Sequence, residues 1–385
     1  MSDDKEVLSA VAAAVTEAAD GVPADGMMDI EAAPLGTESS LDILARRLPK
    51  SELHLHFEGA IPPATVGRLA RRAGMPNPAQ ALRPDSLYDY RGFSHFIDGM
   101  RDACALMVDD DAVIEAALDV FARGIDAGAR HIELMTTLAY HIEHDREPRG
   151  YLAALGRAFE QAAEMWGMSG GIIVEFDRPA GPGRATEIAN IAADAADAGV
   201  PVLAVGNDGD PLTMPFRDLA PAYEVARKRG LKLTGHADLP DDITAALELG
   251  LDRIDHGFFA IYDQGVMDQL VAKQIPMTLC ITSNVIQMPG LYADFGVHPL
   301  KALVDAGCNV TLNTDDPPMF YTDLAQEYRA AARALGWGPK EMGDAARRSL
   351  RAGWITADRD ARLAAWEREI EVLVEDPRAS RGQLL

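Results

Sequence analysis

From Leu41 onward, short runs of β-forming residues alternate with Ala-rich amphipathic stretches, and this rhythm limits the possible folds more than any other feature. The runs are ELHLHF from Glu52, HIELMTT from His131, GIIVEF from Gly171, VPVLAVG from Val200, LKLTGHA from Leu231, RIDHG from Arg253, IPMTLCI from Ile275 and CNVTLNT from Cys308. Between them lie stretches with helical spacing, such as DDAVIEAALDVFARGIDAG, RGYLAALGRAFEQAAEMWG and PFRDLAPAYEVARKRG. Gly230 and Gly307 stand where a helix would end, just ahead of a run. Strands joined by helical crossovers pair in parallel. Eight of them predict an α/β fold, a (β/α)8 TIM-type barrel with extra helices. A doubly wound open sheet is the alternative, but no GxGxxG follows the first run, which counts against its dinucleotide-binding form.

A chain of 385 residues with 48% hydrophobic content is long enough for one large barrel. Residues 1–40 differ from the rest, with nine acids, one lysine, no arginine and no aromatic residue. They read as an acidic, flexible extension, and residues 41–385 as the barrel with its C-terminal helices. The net charge of -24 argues against nucleic-acid partners and anionic membrane surfaces. No apolar run reaches the length of a membrane span. Cys104, Cys280 and Cys308 are scattered and odd in number, so a disulfide framework is not expected. The start Met-Ser-Asp-Asp is acidic where a signal peptide is basic. Together these features predict a cytoplasmic protein with a small-molecule partner, and they leave homo-oligomerisation open.

The unusual polar residues fall where a barrel keeps its chemistry, at the C-terminal ends of the strands. His54 and His56 end the first run, His236 the fifth, His256 the sixth, and Asp315 with Asp316 the last. His54 and His56 are two apart on a strand, so both rings face one side. Imidazoles beside a carboxylate suit a borderline divalent ion such as Zn2+. Solvated histidines at a strand end are the alternative for HxH alone; the order and placement of all the motifs favour a metal.

PKSELHLHFEGA, GIIVEFDRP, GHAD, RIDHG, TSNV and VHPLKALVDAGCNVTLNTDDP together resemble the adenosine/adenine deaminase family of metal-dependent hydrolases. The likeness runs from about Leu48 to the C-terminal helices and is greater to the adenine and N6-substituted-adenine branch. It implies one divalent ion held by His54, His56, His236 and Asp315. It also implies that His256 orients the water on that ion, and that Asp316 accepts a hydrogen bond from the substrate ring. Glu58 and Gly59 would line the substrate end of the first strand, and Gly206 would offer backbone to the heterocycle. The implied reaction is hydrolytic deamination of an aminopurine-like base, nucleoside or related amino-substituted N-heterocycle.

One departure bears on the reaction. The family's His-Ala-Gly-Glu motif ends in a glutamate that protonates the substrate ring, and here the stretch reads His236-Ala237-Asp238-Leu239. Loss of a general acid costs roughly a hundred- to ten-thousand-fold in rate. Asp238 can substitute, because two residues along a strand it faces the same side as His236. Otherwise the chain hydrolyses a different C–N or C–O bond, or survives as a ligand-binding relative without catalysis. Met135 stands where the family often has arginine, which predicts a more apolar pocket. Among the remaining polar residues, His141 and His144 read as a solvated loop and His298 as a brace for a helix start. Cys280 reads as a small buried thiol, and His95 as half-buried or lining the pocket.

Overall fold

The computed structural model describes residues 39–78, 92–288, 291–292 and 294–380, with side chains from residue 96 in the second stretch. Residues 1–38, where the acidic extension is expected, and the His95 side chain lie outside the described residues. The strand segments are β1 (Lys50–His56), β2 (Ala129–Thr137), β3 (Ser169–Asp177), β4 (Val202–Asp208), β5 (Lys232–Leu233), β6 (His236–Ala237), β7 (Ile254–His256), β8 (Met277–Leu279) and β9 (Val310–Leu312). Consecutive segments pair in parallel from β1 to β5 and again from β6 to β9.

β5 and β6 are two halves of the fifth barrel strand, parted at Thr234 and Gly235. A Cβ on Gly235 would meet Asn207 Oδ1 at 2.3 Å and the Tyr223 hydroxyl at 2.5 Å, so only glycine passes this crowded point. The ring closes where Leu55 bridges Asp315 in parallel. There the Asp315 N–H donates to the His54 carbonyl and the His56 N–H to the Asp315 carbonyl, both at 3.0 Å. The sequence expectation of a parallel barrel is met.

Each helix covers the barrel with its apolar stripe. Helix Asp110–Asp126 starts at Asp109, whose side chain accepts from the Ala112 N–H at 2.8 Å. It buries Ala112, Val113, Ala116, Ala117, Val120 and Phe121, the spacing of one helical face. Full burial of a side chain such as Phe121 contributes about 2–3 kcal/mol. Helix Pro148–Trp166 opens with proline in its first turn and stops at Gly167, which has a φ of 67°. Among the described residues, no helix is long and apolar enough to cross a membrane.

The strands are buried on both faces because helices cover the outside and side chains fill the axis. Low in the barrel, Arg253 and Glu133 form a fully buried ion pair at 2.7 Å. Met135, Ile173 and Ala204 make a small apolar layer inside the ring. Met135 therefore fills the barrel and does not line the pocket, contrary to the sequence expectation. The C-terminal ends of the strands carry the polar cluster.

Candidate metal centre and active site

Three imidazoles meet at the top of the barrel. His56 Nε2 lies 3.2 Å from His54 Nε2 and 3.2 Å from His236 Nε2. Asp315 Oδ1 lies 3.4 Å from His54 Nε2 and 3.2 Å from His56 Nε2. His256 joins the same group: one ligand atom each from His54, His236, His256 and Asp315 falls within a 4.8 Å span.

The other ring nitrogens fix the tautomers. His236 Nδ1 is 2.5 Å from the Asn207 carbonyl, which can only accept, so Nδ1 carries the hydrogen. Thr278 donates its hydroxyl hydrogen to Asp255 at 2.7 Å and so accepts from His54 Nδ1 at 3.0 Å. His56 Nδ1 faces Glu175 Oε2 at 3.0 Å. With Nδ1 as the donor on His54 and His236 and the Glu175 carboxylate beside His56 Nδ1, the three Nε2 atoms face one place, where a cation would balance their lone pairs. Zn–N bonds of 2.0–2.1 Å in a tetrahedron put ligand atoms about 3.3 Å apart. The spacings of 3.2–3.4 Å match that edge, so the residues present fit a divalent ion.

Backbone strain supports the same centre. His256 and Asp315 have φ of 57° and 64°, in the left-handed region that costs a side-chain-bearing residue energy. Ser283 donates to Asp315 Oδ2 at 2.6 Å and fixes that carboxylate. Asp316 turns the other way, against Gly59. A Cβ there would lie 1.7 Å from Asp316 Oδ1, so Gly59 makes the room that Asp316 occupies. Asp316 Oδ1 has no hydrogen-bond partner among the described residues. Burial, then the adjacent Asp315 charge, pushes the Asp316 carboxyl well above the usual carboxylate range. Burial, then His54, pushes His256 well below the ordinary imidazole value.

A pocket of about 130 Å3 opens over this cluster. His56, His236, His256, Asp238, Asp315 and Asp316 line it, with Phe96, Met100, Leu212 and Met288 as apolar walls. Asp238 sits 4.0 Å from His256 Nε2, and burial raises its carboxyl to about 6 against the opposing pull of His236. Leu239, at the missing glutamate's position, packs on the hydrophobic core.

A family profile described as adenosine deaminase matches residues 49–366. The chain belongs to the adenosine deaminase family. An adenine deaminase from Agrobacterium fabrum is 33% identical over 328 residues, covering 84% of this chain and 98% of that protein. The crystal structure of an adenine deaminase from Arthrobacter aurescens is 27% identical with a TM-score of 0.77, covering 85% of this chain and 99% of that one. A zinc-bound cog1816 amidohydrolase from Burkholderia ambifaria shares the fold at 21% identity and a TM-score of 0.79, covering 91% and 98%.

Within this family site, Glu58 and Gly206 lie elsewhere than the sequence suggested. The Glu58 carboxylate is held by the Thr136 hydroxyl at 2.7 Å and by His141 Nε2 at 2.8 Å, away from the pocket lining. Gly206 lies inside β4, where an added Cβ would meet Thr234 at 3.3 Å and Glu175 at 3.4 Å. The glycine that lines the pocket is Gly209, where the chain turns beyond the strand with φ of 90°. His141 is no solvated loop residue: it sits in helix Leu138–Glu143, fully buried and stacked on Tyr151 at 3.9 Å. His298 braces a helix start as expected, accepting from the Leu300 N–H at 3.0 Å. The Cys280 thiol is buried and pushed up by burial, which suits an inert role. Sequence reasoning missed Glu175, Thr278, Asp255 and Asn207, the groups that set the histidine tautomers. Only the side-chain parity of Glu175 along β3 could have hinted at one of them.

Proposed function

We propose that this chain is a zinc-dependent deaminase that hydrolyses adenine, or an N6-substituted adenine, to hypoxanthine with release of ammonia or the amine. The convergence of the His54, His56 and His236 Nε2 atoms beside the Asp315 carboxylate, at the base of a ring-sized pocket, carries this reading. The sequence and fold likeness to adenine deaminases supports the substrate, and nitrogen-rich ligation supports zinc.

His54, His56, His236 and Asp315 would hold the ion. A divalent ion there supplies the acidity that makes water a nucleophile near neutral pH. The protein's own groups do the rest. Glu175 and Thr278 hold the imidazoles in the ligating tautomer. Asp316, which lines the pocket, would accept a hydrogen bond from the substrate ring. His256 stands beside the reacting carbon and steadies charge that develops there. Asp238, lining the pocket, gives a proton to the ring nitrogen, so that negative charge does not build on the ring as the amine leaves. Phe96, Met100 and Leu212 exclude bulk water.

The zinc-loaded protein should convert adenine or an N6-alkyladenine with a change in ultraviolet absorbance and stoichiometric release of ammonia or amine. No change across that panel, with zinc bound, overturns the reading. Asp238→Asn should lower kcat by roughly 10²–10⁴-fold with zinc content unchanged. Undiminished turnover in that variant would remove Asp238 from the chemistry and leave deamination standing.

A further inference from the structure

A second cavity, of about 680 Å3, opens at the other end of the barrel, where the strands begin. Leu231 and Lys232 at the start of β5, Pro276 before β8 and Asn309 before β9 lie on its rim. In a chain of net charge -24, its charged lining is wholly basic: Lys232, Arg348, Arg351 and Arg359. Two of the four are neutralised. Lys232 pairs with Asp252 at 2.7 Å and Arg351 with Glu367 at 2.8 Å.

Arg348 and Arg359 form no ion pair among the described residues. Each is anchored by a backbone carbonyl. Arg348 Nε donates to Val310 at 3.3 Å, and Arg359 Nη2 to Arg351 at 2.8 Å. These contacts aim the guanidinium groups and leave other N–H donors free. Arg359 also opens helix Arg359–Glu375, whose N-cap Asp358 makes no side-chain cap bond, so first-turn N–H groups face outward. Asp358 and Asp360 flank Arg359 in the chain without pairing to it. Trp354 gives the cavity a rigid wall, since Arg253 lies over its ring at 3.9 Å.

We propose that this cavity binds a small phosphate-bearing molecule, with the Arg348 and Arg359 forks on its phosphoryl oxygens. Guanidinium forks match phosphate geometry, and a basic cavity on a protein of strongly negative net charge draws anions that the acidic surface repels. The site is separate from the metal centre at the opposite end of the strands.

Inorganic phosphate and ribose 5-phosphate, neither carrying a purine ring, serve as probes. Titration calorimetry on the zinc-loaded full chain should show one saturable site per chain, weakened by added salt. The Arg348→Gln/Arg359→Gln double variant should bind at least about tenfold more weakly, with its melting temperature and its zinc content unchanged. Phosphate binding should also change tryptophan fluorescence, and the Trp354→Phe variant should lose that change. Absence of saturable binding up to ~10 mM, or equal affinity in the double variant, overturns the proposal. So does a dimer, seen by light scattering, that the double substitution abolishes and phosphate leaves intact, because the cavity is then an interface.

Discussion

Each imidazole of the proposed centre is oriented by the atom behind it. Glu175 lies 3.0 Å from His56 Nδ1 and 3.6 Å from His236 Nδ1, so one carboxylate faces two of the three rings. Glu175→Gln should weaken zinc binding about 10–100-fold, measured by competition with a chromogenic chelator. Strand-end position marked six polar candidates, His54, His56, His236, His256, Asp315 and Asp316, and the family resemblance singled out the four proposed ligands among them. Glu175 was not marked in this way. Within GIIVEF it reads as one acid in an apolar strand, and its partners come from β1 and from β6. Spacing along the chain carries no record of neighbours across a barrel. Leu239 was legible as a departure, while its half-buried packing against the core and the entry of Asp238 into the pocket needed coordinates.

At the level of elements, the strand runs mapped onto the barrel with two exceptions. LKLTGHA reads as one strand, yet it breaks at Gly235, because the Asn207 and Tyr223 side chains crowd that point from neighbouring elements. The stretch after β2 reads as a polar loop, yet it coils into a helix that buries His141 against Tyr151. Inside the ring, the Arg253–Glu133 pair is fully buried, and Asp255 lies 3.7 Å from Arg253 Nε. Burial raises the Glu133 carboxyl, but the Arg253 charge, His131 and the Trp354 N–H together outweigh it and hold the group below the ordinary value. Arg253→Met strands that charge and should destabilise the fold by roughly 3–5 kcal/mol, read from urea unfolding. The Glu133→Met/Arg253→Met double variant should recover much of the loss, since apolar replacement removes both desolvated charges. A double variant as unstable as the single would refute this account.

Over the whole molecule, buried acids shape the response to pH. Glu327 is fully buried, and burial lifts its carboxyl from 4.5 to about 7 despite bonds from Thr282 and Thr322. Between those values the folded state holds a proton that the unfolded chain has released. Stability from this group is therefore present at acid pH and lost as pH rises through about 7. Against wild type, Glu327→Gln should gain up to about 3 kcal/mol in relative stability between pH 4.5 and pH 8, followed by denaturant unfolding at each pH. A flat difference would show that Glu327 does not titrate in this range.

The closure of the ring has a consequence for how the protein matures. Asp315 is stitched by its backbone between His54 and His56, and Leu53 beside them donates its N–H to Asn313 Oδ1, 260 residues further along the chain. Until the last strand arrives beside the first, the cage for the ion lacks a wall. An ion held by these residues would therefore find its full set of ligands only where the two distant edges of the chain have met.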